Sequence, residues 1–203
     1  MANISTIFFD VGGVLLSDGW NHVSRKKAAE QFGLDFAEFE SKHNPLADAL
    51  DTGLLSVNEY IDKTVFYKQR SFSKIDFYQF MKDQSQPNPD SLALAASLAE
   101  QKKYFMATIN NESADLGAYR IEKFKLTASF TVFFTSGFMG LKKPESPIFE
   151  RVLQITQKKA EETVFIDDRE ANLAAPKSLK MNTIHFENAQ QAKKDLASLG
   201  ISI

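Results

Sequence analysis

Five short apolar runs recur along the chain, Ile4 to Phe9, Lys103 to Ile109, Thr131 to Phe134, Thr163 to Ile166 and Asn182 to Phe186. Between the later ones, Ser91 to Gln101, Ser113 to Phe124, Pro147 to Gln154, Arg169 to Ser178 and Ala189 to Leu199 have the length and apolar spacing of helices laid against a sheet. Strand alternating with helix implies an α/β fold built on a Rossmann-like, doubly wound parallel sheet.

One interval breaks the alternation. From about Trp20 to Gln84 helical patterns follow one another with no convincing strand, and Asp35 with Glu38 and Ser56 with Glu59 have capping-box spacing. The run Gln84-Ser85-Gln86-Pro87-Asn88-Pro89 then breaks helix and returns the chain to the sheet. Residues 1–17 and 88–203 are therefore expected to form the α/β core, and residues 18–87 an inserted α-helical cap.

In open α/β sheets the C-terminal tips of the strands share one ligand crevice, and here every tip is polar. The first strand runs into Asp10-Val11-Gly12-Gly13, where the glycines let backbone amides approach an anion. The second ends at Asn110 and Asn111, the third is followed by Gly140-Leu141-Lys142-Lys143-Pro144, and the fourth ends on Asp167 and Asp168. A carboxylate nucleophile, amide donors, a cation and a carboxylate pair are thus expected to converge, which favours phosphate chemistry. A formal net charge of −2, from 24 basic and 26 acidic residues, leaves no positive field for a nucleic-acid backbone and no basic face for a membrane. A small phosphorylated metabolite is the natural partner, with the protein a monomer or homodimer. The absence of cysteine excludes a thiolate site, and with no signal-peptide pattern the cytoplasm is the default location.

Taken together, Phe9-Asp10-Val11-Gly12-Gly13-Val14-Leu15, Thr108-Ile109-Asn110-Asn111-Glu112, Gly140-Leu141-Lys142-Lys143-Pro144-Glu145 and Val164-Phe165-Ile166-Asp167-Asp168 with Asn172 resemble, in order and spacing, the motifs of the haloacid dehalogenase (HAD) superfamily. The likeness spans essentially the whole chain and is greatest to sugar-phosphate-phosphatase-like members with a glycine in the first motif. It implies strand order 5-4-1-2-3 and an inserted helical cap that closes over the site. It further implies Mg²⁺-dependent hydrolysis of a phosphomonoester through an aspartyl-phosphate on Asp10. Asp10, the Gly12 carbonyl and Asp168 would hold the metal. Asp167 would hold a metal-bound water or position the lysine, and Lys143 would act as a fixed point charge on the phosphoryl oxygens. Asn172 would keep the acidic loop in shape.

Two departures from the family pattern matter. Asn110 stands where a serine or threonine usually donates to phosphate, with Thr108 the alternative if the register is shifted. Gly12 stands where the typical phosphatase carries an aspartate that protonates the leaving alkoxide, a contribution of roughly 10² to 10⁴ in rate. Asp18, His22 or His43 is a candidate replacement donor. The alternatives are a metal-independent 2-haloacid dehalogenase, whose halide needs no proton, and a catalytically silent phosphate-binding protein.

Overall fold

In the computed structural model, which describes residues 3–202, the five apolar runs form β1 (Thr6–Phe9), β2 (Phe105–Asn110), β3 (Val132–Thr135), β4 (Thr163–Asp167) and β5 (Asn182–His185). All pairings are parallel, in the order β3-β2-β1-β4-β5, which is the expected order read from the opposite edge. Successive side chains of β1 feed opposite faces, as strand geometry requires. Ile7 and Phe9 pack with Leu94, Leu98 and Leu196, whereas Phe8 packs with Phe134, Phe149 and Phe165.

Helices cover both faces. They are α6 (Pro89–Glu100), α7 (Ala114–Lys123), the single turn α8 (Ser136–Met139), α9 (Ser146–Thr156), α10 (Ala174–Ser178) and α11 (Ala189–Ser198), numbered after the five in the insertion. Two details differ from the sequence expectation. Pro89, read as part of the linker, is the first residue of α6, where its missing N–H costs nothing. The stretch Arg169 to Ser178 divides into a 3-10 turn, Glu170–Leu173, and α10; the Arg169 N–H is drawn to Asp167 Oδ1 at 2.8 Å instead of starting a regular helix.

Between β1 and α6 lie α1 (His22–Phe32), α2 (Phe36–His43), α3 (Ala47–Asp51), α4 (Val57–Thr64) and α5 (Lys74–Asp83). Side-chain caps start all but α3: Asn21 accepts from the Ser24 N–H and Asp35 from the Glu38 N–H. Ser56 with Glu59 and Ser73 with Asp76 form reciprocal capping boxes. These helices have an apolar centre of their own, in which Trp20, Phe39, Tyr60, Ile61, Phe77 and Met81 are buried. The chain leaves and re-enters the sheet unit at one place. Ser17 N donates to Gln86 O at 2.8 Å, Gln86 N to Ser17 Oγ at 2.9 Å and Asn88 N to Leu15 O at 3.0 Å. Among the described residues no helix is long and apolar enough to cross a membrane.

His43 lies in this helical unit, 3.0 Å from Tyr60 Oη, which also accepts from Trp20 Nε1 at 3.2 Å. Burial, reinforced by Arg25, holds its imidazole down at about 4, against an ordinary value of 6.5. The unfolded chain therefore takes up this proton first as pH falls below 6.5, so stability is lost between about pH 6.5 and 4. The contribution is about 3 kcal/mol at most. Urea denaturation at pH 7 and pH 4.5 should show a smaller pH-dependent loss in His43→Gln than in the wild type; equal losses would assign the acid sensitivity to other groups.

Candidate active site

The parallel register sets Asp10, Asn110 and Asp167 at adjacent strand ends, because Phe9 pairs with both Thr108 and Ile166. The Asp10 N–H donates to Ile166 O at 2.8 Å, so the nucleophile candidate begins where the sheet ladder stops. Lys143 reaches this point from the loop after α8. Its Nζ lies 2.8 Å from Asp10 Oδ1 and 2.6 Å from Asp167 Oδ2, and all three side chains are buried.

Several contacts fix that ammonium. Asn111 grips the Lys143 backbone from both sides, with Nδ2 donating to Lys143 O at 2.8 Å and Oδ1 accepting from Lys143 N at 2.9 Å. Sequence reasoning expected Asn111 at the substrate, but its amide is already committed at both ends. Asp167 is equally occupied: Oδ1 accepts from Arg169 N and Asn172 Nδ2, and Oδ2 from Lys143 and, at 3.1 Å, Asn172. Asn172, expected to hold the acidic loop, does so by these bonds.

The first-strand loop closes against the fourth. Gly13 has φ +77°, and a Cβ there would lie 2.3 Å from Asp168 Oδ2, so only glycine lets the turn approach that carboxylate. Asp10, Asp167 and Asp168 offer ligand oxygens within 4.8 Å of one another. Burial pushes the Asp10 carboxyl up to about 7, opposed by Lys143 and reinforced by Asp167. Burial, with Asp167 and Asp18, also raises Asp168. Lys143 offsets one of the three carboxylates, and the Arg169 contact at 3.3 Å offsets Asp18, so two negative charges stay uncompensated. Asp168 Oδ1 is moreover buried without a hydrogen-bond partner among the described residues. An orphaned hard oxygen in a site short of two positive charges suits a divalent cation such as Mg²⁺.

Asp10, Gly12, Asn110, Lys143 and Asn172 line an inner cavity of about 260 Å³. Asn110 faces it, and among the described residues its amide has no hydrogen-bond partner. Thr108, the alternative, is fully buried within β2 and lines neither cavity. An outer cavity of about 460 Å³ lies between the helical insertion and the sheet unit, lined among others by Trp20, Asn21, His22, Asp51 and Glu112. Asp18, Asn111 and Arg169 line both. His43 lines neither. His22 reaches only the outer cavity, and its ring is paired with Glu40 at 3.0 Å.

Direct contacts hold the insertion over this mouth. Ser136 Oγ donates to Asp51 O at 2.6 Å, Val57 N to Asp115 Oδ2 at 3.1 Å, and Lys142 pairs with Asp48. A Cβ on Gly53 would stand 2.1 Å from Gly137 O, so the two backbones touch. Sequence reasoning missed Arg169, Asp51 and Glu112. Burial and Glu112 raise the Asp51 carboxyl to about 6. Burial also raises Glu112, with Arg120 opposing; that arginine bonds both Glu112 and the Ser17 carbonyl, tying the segment after β2 to the one that enters the insertion. Arg169 directly follows the acidic pair, the one signal that could have marked it.

The sequence profile of the haloacid dehalogenase-like hydrolases matches residues 4–180. Flavin mononucleotide hydrolase 1 of Arabidopsis thaliana is 33% identical over 82 residues, covering 40% of this chain and 34% of that protein. A sesquiterpene phosphatase of Aspergillus oryzae is 30% identical over 70 residues, covering 34% and 36%. The matched segments thus span about a third of these two relatives' own length. A HAD family enzyme of Bacteroides thetaiotaomicron, solved in complex with magnesium and inorganic phosphate, superposes with a TM-score of 0.79 at 22% identity over 91% of this chain and 95% of that one. A HAD-like hydrolase structure from Porphyromonas gingivalis gives 0.76 at 24% identity over 97% and 98%.

Proposed function

The chain belongs to the haloacid dehalogenase-like hydrolases, and from that membership we propose that it is a phosphatase cleaving a small phosphomonoester through an aspartyl-phosphate on Asp10. The observation that carries this reading is the placement of Lys143. One buried ammonium touches both Asp10 and Asp167 at the floor of a cavity whose wall holds the Asn110 amide, unpartnered among the described residues. A phosphate entering there meets a nucleophile, a fixed positive charge and a neutral donor together.

Asp10 attacks phosphorus and carries the phosphoryl group until water releases it. Lys143 stabilises charge on the transferring oxygens, and Asp167 and Asn111 keep it in position. Asn110 donates to a phosphate oxygen. Asp10, Asp168 and the Gly12 carbonyl would hold a magnesium ion, which would supply positive charge against the repulsion between a carboxylate nucleophile and a phosphate dianion. The helices of residues 18–87 act as the cap that closes the mouth and excludes bulk water.

The leaving group occupies the outer cavity, whose lining of Asp18, Asn21, His22, Asp51 and Glu112 suits a hydroxyl-rich alcohol such as a sugar. The phosphate esters implied by the names of the Arabidopsis and Aspergillus relatives agree with the reaction class. A panel of sugar phosphates, acyl phosphates, p-nitrophenyl phosphate and a 2-haloacid, assayed with Mg²⁺ and with EDTA, tests the proposal. Mg²⁺-dependent phosphate release, highest on the sugar phosphates, is the expected result. Haloacid turnover that survives EDTA would establish a dehalogenase instead.

A further inference from the structure

Cleaving an alkyl phosphate expels an alkoxide, and the inner cavity must hold a group able to give it a proton. Among the described residues the only carboxylates lining that cavity are Asp10 and Asp18. Asp10 is the nucleophile. Lys143 is bound to two carboxylates, Arg169 does not release a proton near neutral pH, and asparagine amides have none to give.

Position strengthens the case. A phosphate in the inner cavity and an alcohol in the outer one put the scissile P–O bond at their junction. Asp18, Asn111 and Arg169 are the residues lining both, and of these Asp18 alone has a carboxyl group. Its carboxylate is held there by Asn21 Nδ2 at 3.1 Å and Arg169 Nη2 at 3.3 Å. It also fills space that Gly12 leaves open: a Cβ at position 12 would lie 3.8 Å from Asp18 Oδ1.

Resting on the phosphatase reading above, we infer that Asp18 is the proton donor to the leaving group, acting from the entrance of the insertion in place of a side chain at position 12. In the first step an Asp10 oxygen bonds to phosphorus, the P–O bond to the alcohol breaks, and the Asp18 proton passes to the departing oxygen. In the second, water attacks phosphorus, its proton passes to the Asp18 carboxylate, and phosphate leaves with Asp10 restored. Arg169 lines the inner cavity as well, so a phosphate bound there competes with Asp18 for the guanidinium that it contacts at 3.3 Å.

The test is the dependence of kcat/KM on leaving-group pKa, measured for Asp18→Asn across alkyl phosphates and p-nitrophenyl phosphate. The expected loss is about 10²- to 10⁴-fold on alkyl phosphates and less than about tenfold on the nitrophenyl ester, whose leaving group needs little help. The double variant Gly12→Asp, Asp18→Asn should recover the shallow wild-type dependence, because a Cβ at position 12 meets no atom closer than 3.6 Å and points toward the space that the Asp18 carboxylate occupies. Equal losses on both ester types, unchanged alkyl-phosphate turnover, or a double variant as steep as Asp18→Asn would each overturn the assignment. A wild type inactive on every ester would instead overturn the phosphatase reading beneath it.

Discussion

Replacing Asp10 by asparagine should lower Mg²⁺-dependent phosphate release by about 10⁴-fold or more while leaving the fold intact. The amide cannot form a phosphoryl ester that water then cleaves. Its oxygen can still accept from the Val11 N–H, which lies 2.7 Å from Asp10 Oδ1, and Lys143 keeps its contact with Asp167 at 2.6 Å. Burial already pushes the Asp10 carboxyl up to about 7, so removing its charge relieves a cost, and the variant should be at least as stable as the wild type. Phosphate release and urea denaturation on the same preparations separate the two effects. Acid-quenched wild-type enzyme should also retain phosphate covalently, and the variant should not. Equal trace release by both proteins would make the molecule a phosphate-binding relative without chemistry.

That prediction draws on what was legible in the sequence, and the division between legible and hidden has a physical origin. A parallel strand buried on both faces must be apolar along its length and must stop where polar chemistry begins. Ile7-Phe8-Phe9-Asp10 and Val164-Phe165-Ile166-Asp167 therefore announce both the sheet and its crevice. The start of α4 was legible for a similar reason, because the reciprocal bonds of Ser56 and Glu59 depend on residues three apart.

Features that depend on distant surfaces meeting were not legible. Asn111 reads as a donor at a strand tip, yet its partner is the backbone of a residue 32 positions away. Asp51 becomes a wall of the outer cavity only because α3 docks on α8, and α8 is one turn long, too short to show a period. The three candidate proton donors were indistinguishable as letters. Packing separates them: His43 lies in the core of the helical unit, His22 pairs with Glu40 at the rim, and Asp18 stands at the junction of the two cavities.

Lys143→Met is expected to combine a large stability loss with loss of turnover. The thioether fills most of the lysine's volume but leaves Asp10 and Asp167 buried without their shared cation. Breaking a buried ion pair by removing one partner typically costs about 3–5 kcal/mol. The loss should depend on pH in a definite direction. Lys143 opposes the burial that raises the Asp10 carboxyl, so without it that group rises further above its ordinary value of 3.8. The folded variant then holds a proton that the unfolded chain releases, and its stability falls as pH rises through that window. Urea midpoints taken in EDTA should therefore separate wild type from variant more at pH 8 than at pH 5. Lys143→Arg keeps the charge but presents a planar fork where a compact ammonium lies between two carboxylates, so it should recover part of the stability and little of the activity. An Lys143→Met protein as stable as the wild type at both pH values would mean that the ammonium does not hold these carboxylates together, and the catalytic arrangement built on it would fall.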